Sequence, residues 1–220
     1  MTTPSIAIII ATSLDGRIAF PNGGESHLGS HKDKRMLDEN LSKVDATIFG
    51  LGTLKAHKST YLVKNYCNNS ELKVSQNQPI SIVASNSQKF SKDWNYFKQP
   101  IKRWLVSSKK RDRSENLDFE KEIIYKDSWH KTLLRLKEAG INSIALLGGA
   151  KLINSFIKED LVDEIKITIV PRIIGGEFTW IPSKKTNELF NLEQFWDMQS
   201  IKELDKNEIL IHYKRKIKSY

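Results

Sequence analysis

The sequence predicts an α/β protein whose core is a twisted, mostly parallel mixed sheet with a C-terminal antiparallel hairpin. Three observations lead there. Ser5 to Ala11 is a run of β-branched and small apolar residues without polar alternation, which suits a strand covered on both faces. Ser143 to Val170 reads as strand, helix, strand, the unit from which parallel sheets are made. Phe195 to Leu204 and Glu208 to Lys214, joined at Asp205-Lys206-Asn207, have the form of a closing hairpin. A chain of 220 residues is long enough for one large domain with one hydrophobic core, so residues 1–220 are read as a single domain.

After the first strand, Thr12 to Gly29 holds Gly16, Pro21, Asn22, Gly23, Gly24 and Gly29, a density of breakers that leaves only a long, functional loop. Ser30 is a plausible N-cap with Asp33 three residues on as a weak capping box, and a helix from about His31 to Ser42 follows. Asp45 to Gly50 is a second buried strand, broken by Gly50-Leu51-Gly52-Thr53, with one helical turn expected over Leu54 to Lys58. Tyr61 to Gln78 is polar and irregular. Strands are expected at Pro79 to Ser85, Arg103 to Ser107 and Lys121 to Tyr125, with a loop or short helix around Phe90 to Phe97. Trp129, Leu133 and Leu136 mark a helix that Gly140 ends as a C′ glycine. A strand at Ser143 to Leu147, a helix from about Ala150 to Lys158 and a strand at Glu164 to Val170 precede the hairpin.

Composition narrows the function classes. A hydrophobic share of 39% with 28% charged residues is ordinary for a globular protein, and the apolar residues gather in short runs, which excludes a disordered chain. The apolar stretch Ile6 to Ala11 is too short to span a bilayer and has no basic residue before it, so a cytoplasmic protein without membrane contact is expected. One cysteine, Cys67, rules out an internal disulfide, and five scattered histidines lack zinc-ligand spacing, so no metal is expected. The net charge of +9 favours phosphorylated ligands of any kind. Its densest clusters, Lys109-Lys110-Arg111-Asp112-Arg113 and Lys214-Arg215-Lys216, read first as solvated loop and tail charges, then as small-anion sites, and last as a nucleic-acid surface.

Chemistry concentrates at L-L-G-G-A-K-L-I-N-S, Leu146 to Ser155. A strand that ends in Gly148-Gly149 and runs straight into a helix lets backbone approach a phosphate, and the free N–H groups of the first helical turn point at the anion along the helix dipole. Lys151 adds charge in that turn. Two glycines at a strand end are also a common tight connection, so the motif alone leaves both readings open.

Three segments in order, A-T-S-L-D-G-R-I-A (Ala11 to Ala19), V-D-A-T-I-F-G-L-G-T (Val44 to Thr53) and the stretch from Gly148 to Gly176 with its L-V-D-E and P-x-x-x-G-G, resemble the pyrimidine reductases of riboflavin biosynthesis. The resemblance implies a dihydrofolate-reductase-like three-layer fold, a homodimer, NADPH across the strand ends, and reduction of the ribose C1 of a phosphoribosylamino-pyrimidine to a ribityl chain. It further implies Ala11 and Thr53 near the nicotinamide and ribose, and Gly149, Ala150, Lys151, Leu152 and Ile153 at the pyrophosphate with Gly148 shaping the turn. Ser85 or Asn86 falls near the adenosine 2′-phosphate, Ser26 at the substrate, and Lys64 about where the family keeps a base for the substrate phosphate. Asp15 and Gly16 read as fixing the turn after the first strand, Asp163 and Glu164 as local caps and pairs, and Asp205 to Glu208 as a hairpin turn.

Four positions depart from the family pattern. Ile9 stands where many members have lysine, Leu28 where they have an aromatic residue, His57 where they have an acid, and Leu147 where they have glutamate. His57 is the candidate replacement proton donor or polar anchor, since imidazole titrates near neutrality. The zinc deaminase signature, H-x-E with P-C-x-x-C, is missing from these residues. Three readings therefore stay open: the riboflavin-pathway reductase, an NADPH-dependent reductase of a pterin or other small heterocycle, and a catalytically silent nucleotide- or RNA-binding relative.

Overall fold

Branched apolar runs become strands because Val and Ile are stiff at χ1 and fit a pleated, covered surface. The computed structural model describes residues 2–24, 28–67, 71–87, 89–109, 119–182 and 196–216. Along them run β1 (Ser5–Ser13), α1 (His31–Leu41), β2 (Ala46–Gly50), α2 (Leu51–His57), β3 (Lys64–Cys67), β4 (Glu71–Val74), β5 (Ile80–Ala84) and β6 (Arg103–Ser107). There follow β7 (Lys121–Ile124), α3 (Trp129–Glu138), β8 (Ser143–Gly148), α4 (Ala150–Lys158), β9 (Glu164–Val170), β10 (Trp196–Glu203) and β11 (Ile209–Arg215).

Among the described residues nine strands form one sheet in the order β10-β11-β9-β1-β8-β2-β5-β6-β7. Every neighbouring pair from β9 to β7 is parallel, while β11 runs antiparallel to β9 and to β10. The mostly parallel mixed sheet with its closing hairpin is the expected fold. Helices cover both faces. On one, Ile6, Ile8, Ile48 and Leu146 pack against Leu133 and Leu136 of α3 and Phe156 of α4. On the other, Phe49, Val83 and Leu105 meet Leu54 of α2 and Tyr96, and Ala145 meets Leu41 of α1 and Val63. Consecutive residues such as Ile48 and Phe49 thus bury to opposite sides, which is why the strands read as unbroken apolar runs. Each such burial contributes about 1.5–3 kcal/mol.

Two segments differ from expectation. Between Tyr61 and Gln78 the chain is a small antiparallel hairpin, β3 with β4, not irregular coil. Its order comes from tertiary hydrogen bonds: Gln78 Nε2 donates to the Val63 carbonyl at 2.9 Å, Gln78 Oε1 accepts from Val63 N–H at 2.9 Å, and the buried Asp38 accepts from Lys64 N–H at 2.8 Å. No periodicity in the hairpin reports partners that lie outside it. The turn expected at Leu54 to Lys58 is a helix of seven residues that begins at Leu51, because Gly50 at φ −83° and ψ 163° serves as its N-cap, and it ends where Lys58 turns left-handed at φ 54°.

The connections set the site. From β2 the chain passes through α2 to β5 on one side, whereas from β8, the neighbour of β2, it passes through α4 to β9 in the other direction. A crevice opens at the carboxyl ends of two strands whose chains depart in opposite directions. Among the described residues no helix is long and apolar enough to cross a membrane.

Candidate functional site

The crevice is closed on one side by the turn from β8 into α4. Gly148 has φ 132° and Gly149 has φ 46° with ψ 131°, conformations that L-residues with a Cβ rarely adopt. Space is not the constraint, since a Cβ at either position would lie 3.7 or 3.5 Å from Thr53 Oγ1, ordinary contact distances. Backbone strain is. Gly149 N–H donates to Thr53 Oγ1 at 3.0 Å, tying the first turn of α2 to the head of α4. The next N–H groups, of Ala150 and Lys151, have no intrahelical acceptor by helix geometry and stand at the positive end of the dipole.

That turn opens into a cleft of ≈ 1530 Å³, lined by Ala11, Thr53, Ser85, Asn86, Gly148 to Leu152, His57 and Lys64. The volume exceeds the roughly 300–1,000 Å³ of a pocket for one drug-sized ligand, so it has room for a dinucleotide and a second molecule. The cradle suits a pyrophosphate: it offers bare backbone, a helix N-terminus and the exposed Lys151. At the end of β5, Asn86 Oδ1 accepts from Ser108 N–H at 2.9 Å and Ser108 Oγ at 2.8 Å, while Ser85 and Ser87 exchange two bonds of 3.0 and 3.1 Å. This rim presents short polar groups on a fixed backbone.

One expected contact is corrected. Ile153 is fully buried in the core and its N–H donates to the Gly149 carbonyl at 3.1 Å, so it holds α4 on the sheet and faces away from the cleft. Ser26 lies outside the described residues, as do Lys110 to Arg113. His57, the last residue of α2, and Lys64, the first of β3, both reach the cleft wall. Asp15 fixes the turn after β1, as expected: its carboxylate accepts from Ser13 Oγ and from the N–H groups of Gly175 and Ile174 at 2.8 and 3.2 Å. The Ser13 hydroxyl above all, against a smaller opposing effect of burial, and then the two N–H groups hold its pKa down at about 2. Asp163 pairs across the chain, accepting from Ile6 N–H at 2.8 Å and meeting Arg215 at 3.3 Å.

The remaining wall lies between β9 and α1. Ile9 and Leu147 lie together on this side, packed against Leu41, Val63 and Ala145, and with Leu28 they give an apolar floor. Beside it stand Asp33, Asn40, Lys166 and Thr168, four polar residues that sequence reasoning did not place in the site. Register explains the last two, because Lys166 is the direct neighbour of Ile9 and Thr168 of Ala11 on the parallel strand β9. Lys166 Nζ lies 2.7 Å from Asn40 Oδ1 and 3.4 Å from Glu164. Burial tends to raise the pKa of Glu164, but Lys166, His212 and Lys214 together outweigh it and hold the carboxyl below its ordinary value.

Asp33 is in the site because half of the expected capping box is missing. Ser30 Oγ accepts from Asp33 N–H at 3.2 Å, but the Ser30 N–H is taken at 2.8 Å by Glu208, which arrives from the turn before β11. The Asp33 side chain is thereby free of its capping duty and lines the cleft, as Thr168 does. Burial, and then the negative charge of Glu208, raise its pKa. Glu208 is more than a hairpin-turn residue: it is 3% exposed, and its Oε2 is buried without a hydrogen-bond partner. Among the described residues no three His, Cys, Asp or Glu side chains come together as a metal site.

Fold and cleft together define the class, a three-layer α/β protein of the dihydrofolate-reductase-like kind with its crevice at the strand ends. The chain belongs to the RibD C-terminal domain family, which it matches over residues 4–203. It is 30% identical over 193 residues to riboflavin biosynthesis protein RibD of Buchnera aphidicola, covering 80% of this chain and 51% of that protein. It thus spans about half the length of that relative. A 2,5-diamino-6-ribosylamino-4(3H)-pyrimidinone 5′-phosphate reductase of Aquifex aeolicus is 26% identical over 189 residues, 80% of this chain and 81% of the relative. Among solved structures, RibD of Acinetobacter baumannii superposes with TM-score 0.79 at 17% identity, covering 98% of this chain and 59% of that one. Dihydrofolate reductase of Enterococcus faecalis superposes with TM-score 0.56 at 13% identity, covering 96% of each chain.

Proposed function

We propose that this protein is an NADPH-dependent reductase that converts the ribosyl group of a phosphoribosylamino-pyrimidine to ribityl in riboflavin biosynthesis. The observation that carries the reading is the Gly148-Gly149 turn at the head of α4, with strained backbone angles that serve close approach of an anion. Family membership and the substrate in the name of the Aquifex aeolicus relative support the pyrimidine. When bound, the reduced nicotinamide would supply the hydride. The N–H groups of Ala150 and Lys151, with Gly149 and Leu152 beside them, and the Lys151 ammonium would hold the pyrophosphate, Thr53 and Ala11 would border the nicotinamide end, and Ser85 and Asn86 the adenosine 2′-phosphate. Lys64 would meet the substrate phosphate, Ser26 the substrate itself, and His57 would serve as a polar anchor at the wall.

The test is loss of NADPH absorbance on addition of the diaminopyrimidinone phosphate or of 5-amino-6-(5-phosphoribosylamino)uracil. Turnover with either supports the proposal; turnover of dihydropterins alone would favour the second reading. That second reading draws on one observation, the apolar floor of Ile9, Leu147 and Leu28, which offers a heterocycle a surface for packing and few ionic partners. A third reading, a silent nucleotide- or RNA-binding relative, would gain if NADPH gave no thermal shift and RNA bound with steep salt dependence.

We also propose a homodimer working in the cytoplasm. Ile201, Ile211 and Ile167 are register neighbours across β10, β11 and β9, with Ile209 beside Ile169, so one face of the closing strands is a block of isoleucine. Ile201 and Ile209 are 57% and 41% exposed. A contiguous apolar face of this kind is suited to a second copy. Light scattering should give twice the chain mass for the wild type and the chain mass for Ile201→Lys; a monomeric wild type would contradict the dimer.

A further inference from the structure

The cleft has an apolar floor and a glycine cradle, yet reduction of a sugar carbon also needs an acid. Asp33 is one of two carboxyl groups on the described cleft wall, the other being Glu177. Its position is well supported. Thr168, which lines the same wall, is the register neighbour of Ala11, the residue at the end of the crevice that the reductase reading gives to the nicotinamide. Behind Asp33 is Glu208, 3% exposed, with Oε1 occupied by the Ser30 N–H at 2.8 Å and Oε2 without any partner. A buried carboxylate oxygen that accepts nothing is costly, and a second carboxyl nearby is eased by carrying a proton. Gly29 completes the arrangement: a Cβ there would lie 1.9 Å from Asp33 Oδ2, so the carboxyl occupies space that only glycine leaves open.

We propose that Asp33, seated against Gly29 on the wall it shares with Thr168, is the acid that delivers the proton to the substrate in this cleft. The inference rests on the reductase reading. The step balances as follows: the C1–O bond of the sugar breaks, its electron pair goes to oxygen, and oxygen takes the Asp33 proton. C1 takes a hydride whose two electrons come from the reduced nicotinamide, which is left oxidised. Asp33 remains as carboxylate and regains its proton from solvent. Few other charges act on it. Lys34 on its own helix favours the ionised form and Glu208 opposes it, while the next charge along β9, Lys166, is engaged by Asn40 and Glu164. Burial, and then the charge of Glu208, raise the pKa of Asp33, the direction a proton donor requires.

Two measurements decide the matter. In steady-state turnover with the diaminopyrimidinone phosphate, Asp33→Asn should lower kcat by about 100-fold or more while the NADPH Kd, measured by fluorescence, stays within about twofold. Gly29→Ala, which displaces the carboxyl without removing it, should lower kcat by a smaller factor. The second measurement needs neither cofactor nor substrate. Infrared difference spectra of the free protein should show a protonated-carboxyl band that titrates above the ordinary aspartate range, vanishes in Asp33→Asn, and titrates at lower pH in Glu208→Gln. A variant Asp33→Asn with unchanged kcat, or a band that neither substitution moves, would overturn the proposal. If the wild type turns over neither pyrimidine, the reductase reading and the donor role fall together, and the infrared titration still decides whether Glu208 raises the titration of Asp33.

Discussion

Gly149 and Asp15 show how single residues set this site, one through backbone conformation and the other through charge. At φ 46° and ψ 131° any side chain on residue 149 is strained although the space around it is open. Gly149→Ala should therefore cost about 1–3 kcal/mol in urea unfolding, with little change in the slope m. Asp15 is held at about 2 by the Ser13 hydroxyl and the Gly175 and Ile174 N–H groups. Its folded value lies below the unfolded one, so its contribution to stability is present above pH 3.8 and is lost as pH falls toward 2. The melting temperature should drop across that window, and Asp15→Asn should flatten the drop. Residues of this kind were legible where their role is local, as with Asp15 and the glycine pair. Asp33 was read as a capping partner because Ser30 precedes it by three, and nothing nearby in the chain announces that Glu208, 178 positions on, takes the Ser30 N–H instead.

At the scale of elements, legibility followed the range of the forces. Strands β1, β2, β8 and β9 are written in uninterrupted apolar runs, and the helices in their inner faces, so both were readable from periodicity. The β3–β4 hairpin was not, because Gln78 and Asp38 hold it from outside. A similar long-range clamp orders the approach to the cleft on its other side. Buried Arg103 on β6 donates to the carbonyls of Tyr96 at 2.9 Å and of Gln99, while the Gln99 amide bonds Thr60 N–H at 2.8 Å and its carbonyl at 2.7 Å. Thr60 and Gln99 both line the cleft. Arg103→Leu leaves the Tyr96 carbonyl without its donor, while the Gln99 carbonyl keeps the Ile101 N–H at 2.9 Å, and should cost about 1–3 kcal/mol, read from denaturant midpoints. It should also weaken NADPH binding by a few fold, because the segment after α2 loses its anchor.

For the whole molecule, the site follows from the order of the strands. Because β8 lies between β1 and β2 and its chain leaves toward β9 while that of β2 leaves toward β5, the crevice has the glycine turn at one wall and the β9–α1 polar wall at the other. The first wall is contiguous in sequence and could be read from ten residues. The second is assembled from Asp33, Asn40, Lys166 and Thr168, with Glu208 buried against Ser30, which only the sheet brings together. We propose that the head of α4 holds the phosphates of NADPH. The most direct test is the Kd for NADPH, measured by calorimetry, of the wild type and of Gly149→Asp, with circular dichroism to establish that the variant is folded. The wild type should bind, and the variant, in which a carboxylate faces the pyrophosphate, should lose about 100-fold or more in affinity. Equal affinity in the two folded proteins would contradict it.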